Sequence, residues 1–283
     1  MKLLLEKLKL SLQKRTKVTQ NKKSYAAWAA KGYRDEPETS IVIQSHNKSL
    51  QVLHILPKLR LVPHSEIIVI DDGSDEAHTH RLAHALTGAN EFLLRCNDLY
   101  ENITYDRCIR LANGRYVALL QDDDDFDTTE WVDRAVALFR AHPRMAILGG
   151  CDALDLVVDA GEKFMHGATW TVHNRDFCRV PAVNRAPMWV NKELFTSRLG
   201  RIDFRFAPFQ YDDYDLCARA WLDNLEVGWY DASFKSLTVG GMRLWNNSFT
   251  KEQCQRNGRL LYDLYADSIE EIHRRVDLAN EQS

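Results

Sequence analysis

Three polar clusters in this chain carry enough carboxylate to do chemistry. The run Arg115–Leu120 leads straight into Gln121-Asp122-Asp123-Asp124-Asp125. Four adjacent carboxylates repel one another unless a cation or basic partner lies among them. A hard divalent ion suits such a run, because Mg2+ or Mn2+ binds through one or two carboxylates plus substrate phosphates. An EF-hand does not fit, since the alternating ligands, central Gly and terminal Glu are missing. The bland alternative is a solvated acidic turn. Asp71-Asp72-Gly73-Ser74 closes the run Glu66–Ile70. It reads either as a simple turn of turn-forming residues or as a carboxylate placed to bond a nucleotide's ring N–H or ribose hydroxyl. Tyr211-Asp212-Asp213-Tyr214-Asp215 opens a helix, where acids complement the helix dipole. Its functional reading is a general base that deprotonates a hydroxyl.

The elements around these clusters explain how they could meet. Ser40–Gln44, Glu66–Ile70, Glu91–Arg95, Arg115–Leu120 and Met145–Leu148 read as short buried strands. Helical patterns over 75–86, 103–111 and 128–141, and around Leu50–Leu59, alternate with them. Such alternation predicts an α/β domain with a mostly parallel sheet. Right-handed crossovers bring the strand ends to one edge, where ligands bind. Gln44–Asn47, Asp71–Ser74 and Asp122–Asp125 each follow a strand, so all three belong to that edge. Cys151–Val158 and a turn at 159–161 suggest a hairpin. Residues 162–190 show no period and read as loops or irregular sheet. A helix over 213–222, a strand over 227–230 and one long polar helix over 252–278 complete the chain. Neither GxGxxG nor GxxxxGK(S/T) occurs, so dinucleotide and P-loop binding lack support.

Taken together, SIVIQSHN (40–47), EIIVIDDGSD (66–75), ANGRYVALLQDDDDF (112–126) and YDDYDLCARA (211–220) resemble the signatures of family 2 glycosyltransferases with the GT-A fold. Each motif is weak alone, but four in this order and spacing are specific. The resemblance implies an inverting enzyme that moves a sugar from a nucleoside-diphosphate donor to a hydroxyl of a glycan or lipid-linked acceptor, in cell-surface polysaccharide or glycoconjugate synthesis. It implies Mn2+ or Mg2+ on the diphosphate. Gln44, Ser45, Asn47, Asp71, Asp72 and Asp122 would bind the donor, Asp123 and Asp124 the metal, and Asp213 would be the catalytic base. Asp212, Trp189, Arg243 and Trp245 are candidates on the acceptor or diphosphate side. The sequence also departs from the pattern. The first acid of the DxD motif maps to Gln121, and the Arg-Asn pair before the fourth strand maps to Tyr105-Asp106, which removes a cation expected near the nucleotide. The implied organisation is a basic extension (1–38), a GT-A domain (39–250, divided at 150 into nucleotide and acceptor halves) and a C-terminal helix (251–283).

Composition narrows the alternatives. The 283 residues are 45% hydrophobic and 27% charged, typical of a folded globular chain. Residues 1–33 hold nine Lys/Arg against Glu6, a net +8, which leaves −11 on the remainder of a chain whose total is −3. An acidic body does not suit a nucleic-acid protein. The basic segment 1–23 could meet anionic headgroups at the inner face of a cell membrane, or stay a solvated tail. Six dispersed cysteines without a CxxC point to buried reduced thiols and a cytoplasmic setting. His78, His80 and His84 lack further ligands and read as surface residues. Two other functions fit the acidic edge: a nucleotidyl- or phosphotransferase, and a non-catalytic sugar-binding module. The first would want a basic signature by its first strand, and residues 40–50 offer only Lys48.

Overall fold

The computed structural model of the chain describes residues 2–29, 36–237 and 248–281. The N-terminal segment is one helix, α1 (Lys2–Ala29), on which Leu4, Leu5, Leu8, Leu10 and Leu12 are all exposed. From residue 39 the expected alternation is present: β1 (Thr39–Ser45), α2 (Ser49–Leu59), β2 (Ser65–Asp72), α3 (Glu76–Ala85), β3 (Glu91–Cys96), α4 (Tyr100–Leu111), β4 (Tyr116–Gln121), the short β5 (Asp124–Asp125), α5 (Glu130–Ala141) and β6 (Met145–Gly149). The second half contains β7 (Ala153–Asp159), β8 (Phe164–Thr169), β9 (Cys178–Arg179), β10 (Ala182–Val183), β11 (Met188–Asn191), the turn α6 (Lys192–Leu194), α7 (Asp212–Leu222), β12 (Glu226–Trp229) and β13 (Lys235–Ser236). Helices α8 (Ser248–Tyr265) and α9 (Ile269–Glu281) follow.

The central sheet has the strand order β3-β2-β1-β4-β11-β6-β12-β9. Its first four strands are parallel, β11 runs antiparallel to both β4 and β6, and β12 is parallel to β6. Side-chain alternation assigns each strand to two layers. Ile41 and Ile43 enter one buried cluster with Val52, Ile55 and Trp131 from α2 and α5. Val42 enters the other, with Tyr105, Ile109 and Leu216 from α4 and α7. A sheet covered on both faces reads as continuous apolar runs, which is why these strands are visible in the sequence. The register sets the functional edge: Ser45 lies beside Asp71, and Gln44 beside Gln121. Gly73 then turns the chain away from β2 at φ +78°, a conformation that costs glycine little.

Three expectations need correction. The stretch 162–190 is not merely irregular, because its end forms β11 inside the sheet. Four residues covered on both faces show no polar alternation, so nothing local marks the strand. The single helix expected over 252–278 is two helices separated by a tight turn at Ala266–Ser268. Asp267 and Ser268 are residue types that favour helix starts over helix interiors. The cysteines are all unpaired, but only Cys108 and Cys217 are buried and Cys151 is exposed. The hairpin is present as β7–β8, joined by β10 into a small second sheet.

Candidate active site

The loops after β1 and β2 form one wall of the edge. Asp71 is fully buried; its Oδ2 accepts from Thr79 Oγ1 at 2.5 Å. Its Oδ1, like the buried hydroxyl of Ser45 beside it, has no hydrogen-bond partner among the described residues. Unsatisfied buried polar atoms are costly, so two of them at one strand edge point to a missing ligand. Neighbouring candidates are already engaged. The Asp72 carboxylate accepts the backbone N–H groups of Leu99 (2.9 Å) and Tyr100 (2.7 Å), and so caps the start of α4. Gln44 donates to that carboxylate at 3.3 Å and accepts from Thr104 at 2.9 Å. Asn47, at φ +58°, joins the two loops: its N–H donates to Ser74 Oγ and its Oδ1 accepts from Asp75 N, each at 2.8 Å. Gln44, Asn47 and Asp72 thus tie the loops of this edge together, while Ser45 Oγ and Asp71 Oδ1 have no partner among the described residues.

The acidic run separates into four different side chains. Asp122 Oδ2 accepts the His46 N–H at 2.9 Å, and Asp122 Oδ1 lies 3.1 Å from Lys48 Nζ. Asp123 Oδ2 lies 3.7 Å from the same ammonium and 3.4 Å from Ser236 Oγ, while the Asp123 carbonyl accepts Leu237 N at 2.7 Å. Asp124 folds back onto its own strand end, where Oδ2 accepts Gln121 N at 2.8 Å. Asp125 pairs with Lys58 at 2.6 Å. Burial raises the Asp122 carboxyl above its ordinary range, with Lys48 and the His46 N–H opposing the shift. Burial raises Asp124 further, against the Gln121 N–H. Asp124, expected as a metal ligand, has its Oδ2 engaged by the Gln121 N–H. No three His, Cys, Asp or Glu side chains among the described residues converge on one point. The Asp122–Asp123 pair still fits Mg2+ or Mn2+, which need only one or two carboxylates when substrate phosphates complete the shell.

The third cluster reaches this edge through a buried bridge. Gln121 Nε2 donates to Glu101 Oε1 at 3.4 Å, and Glu101 Oε2 accepts from Arg185 Nη1 at 3.1 Å. Arg185 in turn forms a paired salt bridge with Asp212, through Nη1 at 3.4 Å and a short Nη2 contact to Oδ2. Its guanidinium stands 4.9 Å over the Tyr105 ring. Burial alone would lower the Arg185 pKa; Asp212, Glu101 and Asp213 more than reverse this, and it stays charged. Burial raises the Tyr105 phenol, and the nearby charges of Glu101, Asp124 and Asp122 add to that. Tyr105 and Arg185 therefore lie between the two acid clusters, some ninety positions apart in the chain. An arginine thus stands over the ring of the residue at position 105, although it comes from position 185. Asp106 is held by Arg110 at 3.1 Å and receives Ile202 N at 3.0 Å.

Asp213 is the next residue of α7, and its Oδ1 accepts Tyr214 N at 3.0 Å. The chain enters this helix through two left-handed residues, Gln210 (φ +76°) and Tyr211 (φ +67°). Non-glycine residues there cost about 1–3 kcal/mol each and persist only where their surroundings impose them. Asn257 of α8 does so, because its Nδ2 donates to the carbonyls of Phe206, Phe209 and Gln210 at 2.8–2.9 Å. On the acceptor side Trp189 is a correction. It lies in β11 with no exposure, its indole N–H donates to Tyr230, and it packs against Trp131, so it cannot stack on a sugar. Arg243 and Trp245 lie outside the described residues. Glu101, Arg185 and Asn257 are site residues that carry no local sequence signal; Lys48 shows only as an isolated base after SHN.

The family model for glycosyl transferase family 2 matches residues 40–210. No curated protein matches the sequence. Among solved structures, S. aureus TarS 1-349 in complex with UDP-GlcNAc is similar at 14% identity and TM-score 0.55, over 74% of this chain and 61% of that one. The mannosyltransferase PcManGT from Pyrobaculum calidifontis, in complex with GDP-Man and Mn2+, is similar at 12% identity and TM-score 0.54, over 88% of this chain and 75% of that one. The present chain thus spans about three fifths of the TarS chain (61%). At these identities the likeness concerns the fold, which is of the GT-A type.

Proposed function

This chain belongs to glycosyl transferase family 2, and from that premise we propose that it moves a sugar from a nucleoside diphosphate to an acceptor hydroxyl with inversion. The observation that carries the proposal is the bridge from Gln121 beside Asp122 through Glu101 to Arg185, which stands over Tyr105 and pairs with Asp212 beside Asp213. Asp71 Oδ1 and Ser45 Oγ receive the base and ribose of the donor, and Asp122 takes a place beside the ribose and diphosphate. Asp213 accepts the proton of the acceptor hydroxyl. The freed oxygen lone pair attacks the anomeric carbon from the side opposite the diphosphate, and the bond from that carbon to the diphosphate oxygen breaks with its electrons. In-line displacement of this kind inverts the centre. Mg2+ or Mn2+, held by Asp123 with Asp122, supplies Lewis-acid neutralisation of the leaving diphosphate when bound. Arg185 and Glu101 hold α7 at the donor edge, so that Asp213 is in position before substrate arrives. Residues 39–150 form the donor half and 151–250 the acceptor half. The acceptor is a glycan or lipid-linked sugar of cell-surface polysaccharide or glycoconjugate synthesis, handled on the cytoplasmic side.

Thermal-shift titration against a panel of nucleoside-diphosphate sugars with Mn2+ tests this reading. The expected result is stabilisation by one donor and its loss on adding EDTA. At 100 times the dissociation constant the gain is about 2.7 kcal/mol, well within detection. Failure of every nucleotide sugar to stabilise the protein, with or without metal, would reject the proposal.

Helix α1 provides the route to such acceptors. Leu4, Leu5, Leu8 and Leu12 fall on one side of it, while Leu10 and Val18 lie among Lys7, Lys14 and Lys17 on the other, so the leucines do not form one clean stripe. No helix among the described residues is long and apolar enough to cross a membrane. A basic helix with exposed leucines can instead rest on an anionic surface, where each Lys or Arg contributes about 1 kcal/mol. The full chain is expected to float with vesicles rich in phosphatidylserine and to be released by high salt. Equal flotation with neutral vesicles would contradict this.

A further inference from the structure

Lys48 lies on the donor edge, and the reaction described above gives its ammonium no role. Its ammonium is shielded from solvent and lies 3.1 Å from Asp122 and 3.7 Å from Asp123. Asp122 and Asp123 are also the two residues that would hold a divalent ion. Neither of the remaining acids can take the ammonium instead. Asp124 is bonded to the Gln121 N–H, and Asp125 is paired with Lys58. We propose that Lys48 is a resident counterion of the Asp122–Asp123 pair, which a divalent metal must displace, so that the metal binds well only together with the donor diphosphate.

The argument is one of charge. Two carboxylates and one ammonium leave a single negative charge at the edge. Adding a divalent cation while Lys48 stays would give a net positive site, with like charges a few ångströms apart in partly buried surroundings. At 4 Å and an effective dielectric near 20, each unit pair interacts by about 4 kcal/mol. A diphosphate removes the conflict, because it offers Lys48 new oxygen partners and completes the metal's shell. Metal and nucleotide binding are then positively coupled, and by linkage each strengthens the other equally. Lys48 is a positioning residue in this scheme, since it acts through Asp122 and Asp123.

The inference rests on the glycosyltransferase reading of this site, and manganese binding tests it without recourse to turnover. Mn2+ is titrated into the full chain by electron paramagnetic resonance, with and without UDP or GDP, for wild type, Lys48→Gln, Lys48→Arg and Asp123→Asn. Without nucleotide, Lys48→Gln is expected to bind Mn2+ at least about tenfold more tightly than wild type, equivalent to 1.4 kcal/mol. The same variant should lose most of the nucleotide-dependent gain in affinity, and Lys48→Arg should behave as wild type. Asp123→Asn should abolish binding in every case. Equal or weaker Mn2+ binding by Lys48→Gln, with Asp123 still required, would overturn the role of Lys48 and leave the glycosyltransferase reading intact. Absence of Mn2+ binding in wild type and Lys48→Gln, even with either nucleoside diphosphate, would overturn both this inference and the metal assignment.

Discussion

Asp213→Asn is expected to lower the rate of sugar transfer by about 10²–10⁴-fold, the usual worth of a positioned general base. The substitution is nearly isosteric. Its amide oxygen can still accept the Tyr214 N–H, and the Arg185–Asp212 salt bridge beside it is untouched. The helix should therefore keep its place, and only the ability to take a proton is lost. Donor affinity, measured by calorimetry with the intact nucleotide sugar, should stay within about twofold, because a group that acts on the acceptor proton contributes to the transition state and not to donor binding. A fall in kcat of less than about tenfold would show that another group takes the proton. Asp212→Asn provides the contrast. Asp212 has no exposure and faces Arg185, so its loss should appear in stability before it appears in chemistry.

Arg185→Met is expected to destabilise the protein by about 3–5 kcal/mol, the range found when one partner of a buried ion pair is removed. Arg185 is within reach of Asp212 and Glu101 and also covers the Tyr105 ring. Its removal leaves a wholly buried carboxylate without its cation. Urea unfolding monitored by tryptophan fluorescence measures the effect. The triple variant Arg185→Met, Glu101→Gln, Asp212→Asn should recover part of the loss, because a neutral bridge no longer strands a charge. A loss below about 1 kcal/mol in the single variant would mean that the bridge between α4 and α7 contributes little.

The legible part of this molecule is the part where one residue's type decides its role. The runs Ile41–Ile43, Ile67–Ile70 and Val117–Leu120 are apolar because both sheet faces are covered, and each ends in polar residues where the sheet meets solvent. Strand positions and the identity of the functional edge follow from that contrast. Residues of one type in a row were harder to read. Asp122, Asp123, Asp124 and Asp125 are chemically identical, and only the turn after β4 decides that one faces Lys48 while another faces back to Gln121. Asp71 and Asp72 divide in the same way. Asp72 points at the start of α4, whose free N–H groups are created by a helix that begins almost thirty positions later. Arg185 and Trp189 were beyond sequence reading for the opposite reason. Both come from a stretch without period, and their roles depend on β11 inserting between strands that precede it in the chain. Tyr105-Asp106 shows the limit well: the cation that stands over Tyr105 comes from residue 185, eighty positions away in the sequence.

Strand β11 also denies the cleft a clamshell motion. It belongs to the acceptor half by sequence, yet Met188–Asn191 pairs with Tyr116–Leu119 of β4 on one side and Met188–Val190 with Ile147–Gly149 of β6 on the other. Parting the halves would strip these ladders of their hydrogen bonds in a layer where no water can replace them. Residues 116–119, 147–149 and 188–191 are consequently parts of one sheet. Any opening of this edge would therefore have to come from the loops along its rim rather than from the sheet itself.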